Sequence, residues 1–234
     1  AGSAIHKPLG SFLKQLTTSY DGAYSAPLLE DNPGPDGHAH ISRRSAVPNI
    51  DLHHHIFIPE TETIASKQRE GRPQHADSFE GFFPTVSSQH NQKLFQENWC
   101  EQLADADRKR KDMADDRLDM ALVLASPPHF YYWIGGSAGT DICHITNDGI
   151  SEFCKSDPDH FRGVANLPFQ NGGEAAAAEL ERAMGLGLLG CVVGDRVGTQ
   201  ALDEPQFEPF WAAAERLGAL VFIHPDFADF KPIF

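Results

Sequence analysis

The sequence has 234 residues, of which 41% are hydrophobic and 22% charged, a composition typical of a globular protein with a sizeable core. Nineteen basic against 33 acidic residues give a net charge of −14, which argues against nucleic acid or an anionic membrane as the main partner. No run approaches the roughly 18 apolar residues of a membrane span. Nucleic acid and membranes are therefore disfavoured as partners, whereas a small-molecule substrate is compatible with the composition.

The first 46 residues are rich in Gly, Pro, Asp, Asn and Ser, which are typical of turns. We therefore predict a peripheral segment over residues 1–46 and one β/α domain over residues 47–234. The four cysteines are widely spaced and form no C-x-x-C pair, which disfavours a zinc ribbon or a thioredoxin-type site. Reduced thiols in a cytoplasmic protein are the simpler interpretation.

Five short apolar runs are predicted to be strands, and they cover residues 49–52, 122–125, 163–166, 190–193 and 220–223. Helices are predicted over GGEAAAAELERAMGLG and EPQFEPFWAAAERLG, because each has acidic residues near its start and Gly at its end. A long charged stretch from Lys93, without Pro or Gly, also predicts helix. Apolar strands that alternate with helices indicate parallel strands in one sheet, either doubly wound or closed as a β/α barrel. No glycine-rich phosphate-binding motif follows a strand, which weakens a nucleotide-binding interpretation.

Three consecutive histidines follow the first predicted strand. Simple alternation places Asp51, His53 and His55 on one face and His54 on the other. Two imidazoles side by side at the carboxyl end of a parallel strand can bind one divalent metal through nitrogen. His224 ends the fifth predicted strand, and we predict that it joins them. A hydrogen-bonded loop residue is the alternative for any lone strand-end histidine.

An upstream string, DGHAH, repeats the Asp-x-His-x-His spacing but follows no apolar strand. We therefore interpret its histidines, His38 and His40, as solvated loop residues. After the fourth predicted strand, Arg196 is a candidate to bind a substrate carboxylate through two hydrogen bonds. The alternative for this residue is a surface loop arginine.

The loop after the second predicted strand, SPPHFYYWIGG, carries five consecutive His and aromatic residues. Such a loop can line a pocket for a planar substrate, and His129 is the candidate substrate contact. The alternatives are packing of the loop against the barrel rim, or an oligomer contact that would make the protein a homodimer.

The string IDLHHHIFIP resembles the first strand of the amidohydrolase superfamily, and in particular the branch of aminocarboxymuconate-semialdehyde decarboxylase and γ-resorcylate decarboxylase. Two further strings resemble later strands of that branch, DPDHFRGVANLPFQNGGEAAAAELERAMGLGLLGCVVG and LDEPQFEPFWAAAERLGALVFIHP. The resemblance implies a distorted (β/α)₈ TIM barrel with one divalent metal, which is usually zinc and sometimes manganese. His53, His55 and His224 match the metal ligands of the family.

The family has eight strands and the sequence shows five, so we predict an incomplete barrel. The catalytic histidine and the last aspartate ligand of the family are expected beyond Phe234, and the 234-residue chain alone is expected to be inert or nearly so. The resemblance implies a metal-dependent decarboxylase of a small unsaturated or aromatic carboxylic acid. The alternatives are a metal-dependent hydrolase of a C–O or C–N bond in a carbonyl substrate, and a non-catalytic relative.

Overall fold

The structure, a computed structural model, describes residues 48–71 and 100–225. The chain divides into two compact units, Ala1–Asn49 and Ile50–Phe234, and the described residues other than Pro48 and Asn49 belong to the second. The predictions for the peripheral segment 1–46, and for His38 and His40, therefore lie outside the described residues.

Every predicted strand is present, and the strands pair in parallel. The strand bounds are Ile50–Ile56 (β1), Met120–Ala125 (β2), Phe161–Gly163 (β3), Ala165–Asn166 (β4), Gly190–Gly194 (β5), Arg196–Val197 (β6), Gln200–Ala201 (β7) and Leu220–His224 (β8). β1 pairs with β2, β2 with β3, β4 with β5, and β5 with β8. A short antiparallel ribbon, β6 with β7, follows β5.

The prediction of one uninterrupted sheet needs a correction. The ladder breaks at Val164, so that β1, β2 and β3 form one three-stranded sheet and β4, β5 and β8 form another. The third predicted strand thus changes neighbours half-way along its length. Two backbone hydrogen bonds bridge the break, from Val164 N–H to Val123 O and from Leu189 N–H to Gly163 O.

Six α-helices lie between the strands in the described part of the chain. Both helices predicted from Gly and acidic residues are present, as α5 and α6. The charged stretch from Lys93 is helical in its described part, but it breaks at Asp105, whose side chain accepts the N–H groups of Asp107 and Arg108 and so caps α3. The bounds are Glu62–Ala65 (α1), Cys100–Ala104 (α2), Ala106–Asp115 (α3), Gly136–Ser156 (α4), Gly173–Gly185 (α5) and Glu208–Leu217 (α6). None of these helices has the length and apolar character needed to cross a bilayer.

Strands β2 and β5 are buried on both faces, which explains why they are apolar without interruption, whereas β1 and β8 are partly exposed. The inner face forms a small core with Phe130, and its strand residues are Leu122, Leu124, Val164 and Val192. The outer face packs on the helices, with Ala121, Val123, Ala165, Cys191 and Val193 in a larger core. Two apolar layers on a parallel sheet are the arrangement of a β/α barrel wall.

A buried polar network joins α4, α5 and β4. The Glu179 side chain is 3% exposed and accepts hydrogen bonds from Asn147 Nδ2 and from Arg182, and it lies 2.9 Å from His144 Nε2. The Asn147 amide also pairs with the backbone of Asn166, at 2.7 and 2.8 Å. The network therefore fixes the end of β4 relative to two helices.

Candidate metal centre

Three histidine side chains converge at the carboxyl ends of β1 and β8. His53 Nε2 lies 3.0 Å from His55 Nε2 and 2.7 Å from His224 Nε2. Within the described ranges, these three form the group of His, Cys, Asp or Glu residues whose spacing could hold a metal ion. The fold therefore brings together the three histidines that the sequence singled out, although His53 and His224 are 171 residues apart.

The donor atoms suit a divalent metal. Two nitrogens that each lie 2.0–2.1 Å from one ion are roughly 2.9–3.4 Å apart. The distances from His53 Nε2 to the other two rings are close to this range, and all three ligand atoms lie within 4.8 Å of one another. His224 Nδ1 donates to the carbonyl oxygen of Pro225 at 2.8 Å. This bond leaves the lone pair on Nε2, which is the nitrogen that faces the other two rings.

The environment favours neutral imidazoles. Burial lowers the pKa of His55 to about 4, and the neighbouring His53 and His224 act in the same direction. Burial, together with His224, also lowers the pKa of His53. Neutral imidazole is the form that binds a metal, so the lowered pKa values of His53 and His55 favour metal binding near neutral pH.

The strand that carries two of these histidines is bulged, which corrects the simple alternation expected from the sequence. Asp51 pairs with Ala121 and His54 with Val123, so two residues of β1 lie opposite Leu122 alone. Asp51 and His54 consequently share the outer face of the strand. The sequence predicted instead that Asp51 lies on the face of the two converging histidines.

A buried lysine supports the same strand, and this role was not predicted from the sequence. Lys109 of α3 is 5% exposed, and its Nζ donates to the carbonyl oxygen of His55 at 2.7 Å. Burial lowers the pKa of Lys109 to about 8, although Asp112 and Asp51 oppose this shift. The available signal was its spacing of four residues from Met113, the other buried residue of this charged helix.

The aromatic loop after β2 packs against the barrel wall. Phe130, Tyr131 and Ile134 are each less than 5% exposed, and the Phe130 ring meets the His224 ring edge-on with centroids 6.2 Å apart. Tyr131 has a backbone φ of 54°, and its hydroxyl donates to Glu62 Oε1 at 2.9 Å. These three side chains therefore pack against the barrel, which was the alternative to a role in lining a substrate pocket.

Replacing Tyr131 with Phe should lower the free energy of unfolding by about 1–2 kcal/mol, because Glu62 loses a buried hydrogen-bond donor. The hydroxyl also lies 3.0 Å from Thr61 Oγ1, a second buried polar contact that the variant removes. Urea unfolding followed by circular dichroism measures the change. Unaltered stability would show that these bonds do not hold the loop.

The two candidate substrate contacts, His129 and Arg196, lie in the turn after β2 and in β6. Ser126 Oγ lies 2.6 Å from His129 Nδ1, and Asn166 Nδ2 donates to the carbonyl oxygen of His129. Arg196 is exposed in the β6–β7 ribbon, and Asp195 before it donates its N–H to the carbonyl oxygen of His224. A substrate role for His129 and Arg196 stays a prediction.

Comparison with known proteins identifies the family. The sequence profile of the Amidohydrolase family matches residues 50–233. The chain belongs to the amidohydrolase family. This confirms the resemblance seen in IDLHHHIFIP and in the two later strings.

The chain is similar to decarboxylases in sequence. It is 34% identical over 122 residues to the 2-amino-3-carboxymuconate-6-semialdehyde decarboxylase of Dictyostelium discoideum, a match that covers 52% of this chain and 34% of that protein. It is 38% identical over 95 residues to the γ-resorcylate decarboxylase of Rhodococcus jostii, covering 36% and 29% of the two proteins. The matches thus span about one third of these relatives.

A solved structure shows the fold. The 5-carboxyvanillate decarboxylase of Novosphingobium aromaticivorans, crystallised with manganese and 4-hydroxy-3-methoxy-5-nitrobenzoic acid, superposes with a TM-score of 0.65 at 22% identity. The superposition covers 77% of this chain and 51% of that protein. The predicted TIM-barrel class is confirmed, and the described strands form part of such a barrel.

Proposed function

We propose that this protein is a metal-dependent decarboxylase of a small aromatic or unsaturated carboxylic acid. The observation that carries the proposal is the convergence of His53, His55 and His224 at the carboxyl ends of parallel strands, where barrel enzymes have their active sites. The similarity to decarboxylases of carboxymuconate and resorcylate type supports the substrate class.

In this proposal, His53, His55 and His224 hold one divalent ion, zinc or manganese. The ion, when bound, supplies a Lewis acid that polarises an oxygen of the substrate. Arg196 binds the substrate carboxylate, since its guanidinium matches the two carboxylate oxygens. His129, oriented by Ser126, contacts the planar part of the substrate. The carbon that loses carbon dioxide must be protonated, and we assign this proton transfer to no side chain within residues 48–71 and 100–225.

The test is an assay of the full gene product that carries these residues. We expect release of carbon dioxide from one or more members of a panel of hydroxybenzoates and carboxymuconate-type acids, with zinc or manganese present. A chelator and the His53→Ala substitution should each abolish turnover. His160→Ala is the control, because this exposed histidine pairs with Asp157 on the surface.

Two outcomes would contradict the proposal. Hydrolysis of amides or esters without release of carbon dioxide would indicate the hydrolase alternative. Turnover that survives both the chelator and the His53→Ala substitution would place the chemistry elsewhere in the molecule.

Two expectations from the sequence stay predictions alongside this proposal. The first is a reduced, cytoplasmic setting; the described cysteines Cys143, Cys154 and Cys191 are free thiols. The second is a homodimer.

A further inference from the structure

The middle histidine of the triplet takes no part in the three-histidine cluster. His54 lies on the outer face of β1, and its Nδ1 donates to Asp51 Oδ2 at 2.9 Å. The His54 side chain is 18% exposed and that of Asp51 is 28% exposed, so water competes only in part for this hydrogen bond. A bond of this kind restricts the side-chain rotamers of both residues.

The Asp51 carboxylate also holds the backbone of the first histidine. Its other oxygen, Oδ1, accepts the N–H group of His53 at 2.9 Å. A β-bulge disrupts the regular ladder at its extra residue, and that residue needs another partner for its backbone groups. One carboxylate therefore fixes the His53 backbone and the His54 ring together.

The bulge determines where the converging histidines point. His55 pairs with Leu124, a residue of the inner face, whereas His54 pairs with Val123 on the outer face. The Asp51 contacts span the residues where the register shifts. A change at this point would turn the following side chains towards the opposite face.

We propose that Asp51 and His54 form a positioning pair, which holds the β1 bulge and thereby directs His53 and His55 to one metal ion. This inference rests on the proposed metal site. It also explains the third consecutive histidine: two rings face the metal, and the middle ring orients the carboxylate that orders the strand.

The hydrogen-bonding atom of His54 makes the pair testable by substitution. Its Nδ1 bonds to Asp51, while its Nε2 is buried without a hydrogen-bond partner among the described residues. The amide nitrogen of Asn occupies nearly the position of Nδ1, and that of Gln nearly the position of Nε2. His54→Asn therefore keeps the bond, whereas His54→Gln and His54→Leu remove it.

The experiment is titration calorimetry with Zn²⁺ on the 234-residue chain and its variants, with Co²⁺ absorption as a second readout. Loss of a group that orients metal ligands typically lowers metal affinity about 10–100-fold. We expect a loss of this size, with an altered Co²⁺ spectrum, in His54→Leu and His54→Gln. His54→Asn should keep the dissociation constant within about threefold of the wild-type value.

The chain offers a matched control. His160 and Asp157 repeat the same spacing of three residues and the same 2.9 Å contact between Nδ1 and a carboxylate oxygen. Neither residue belongs to the three-histidine cluster. His160→Leu should therefore leave Zn²⁺ affinity unchanged.

The outcomes separate this inference from the proposed site. Equal affinity in the wild type, His54→Leu and His54→Gln would overturn the positioning pair alone. Equal losses in His54→Asn and His54→Gln would also overturn it, because they would show that ring volume matters rather than the Nδ1 bond. A wild-type chain that folds but binds no Zn²⁺ or Mn²⁺ would overturn the metal site itself. If His54→Leu does not fold, the comparison of His54→Asn with His54→Gln still tests the positioning pair.

Discussion

Replacing His224 with alanine is expected to weaken Zn²⁺ binding by about 10²–10³-fold. Structural zinc sites with four ligands bind with roughly 10–16 kcal/mol, which is about 2.5–4 kcal/mol per ligand, and we take this figure for each of the three histidines. The ring of His224 is buried, and its Nδ1–H is held by the carbonyl oxygen of Pro225, so its Nε2 is already oriented before a metal arrives. Competition with a chromophoric chelator measures the affinity.

His160→Ala provides the control for this experiment, because His160 forms only a surface pair with Asp157. The unfolding curve of each metal-free variant should be recorded as well. His224→Ala that folds normally and keeps wild-type affinity would show that the three rings do not share an ion.

Replacing Glu179 with alanine is expected to lower the free energy of unfolding by about 3 kcal/mol. Removing one partner of a buried ion pair typically costs about 3–5 kcal/mol, and the lower figure applies because Arg182 is partly solvated. Arg182 loses its contacts to both Glu179 oxygens, and Asn147 Nδ2 loses one of its two acceptors. Urea unfolding measures the difference.

Glu181 supplies the comparison on the same helix. It is exposed and pairs with Arg216 across the surface, so Glu181→Ala should cost about 0–1 kcal/mol. Similar losses in both variants would mean that the buried network contributes no more than an ordinary surface pair.

The strands were predictable because most of them are short continuous apolar runs, the pattern typical of parallel strands. Residues 190–193 and 220–223 needed only this signal, and the helices α5 and α6 were marked by Gly and acidic residues. The convergence of His53 and His224 followed from a further general rule, that the carboxyl ends of parallel strands meet at one edge.

Helix α4 could not be predicted by the same means. Its buried face has the helical spacing, but it uses small and polar residues such as Gly139, Thr146, Asn147 and Ser151 beside Ile142 and Ile150. Such residues have low helix propensity and give a weak apolar period. Tertiary contacts, including the bonds of Asn147 to β4, stabilise it instead.

The bulge in β1 and the role of Lys109 were also beyond the reach of pattern. Periodicity assumes a regular strand, whereas the local register here follows bonds from one carboxylate to a backbone N–H and a ring nitrogen. Lys109 lies in a run of four basic residues, where the spacing from Met113 marks its face of the helix but not its contact with a buried carbonyl oxygen.

The 171-residue separation between His53 and His224 has a consequence for stability. The two residues belong to the first and last strands of the described sheets, so their contact closes a loop of the chain that holds every other described strand. A bound cation would then act as a cross-link across nearly the whole domain. Because only the folded chain brings the three rings together, the cation would stabilise the folded state by an amount that grows with its concentration.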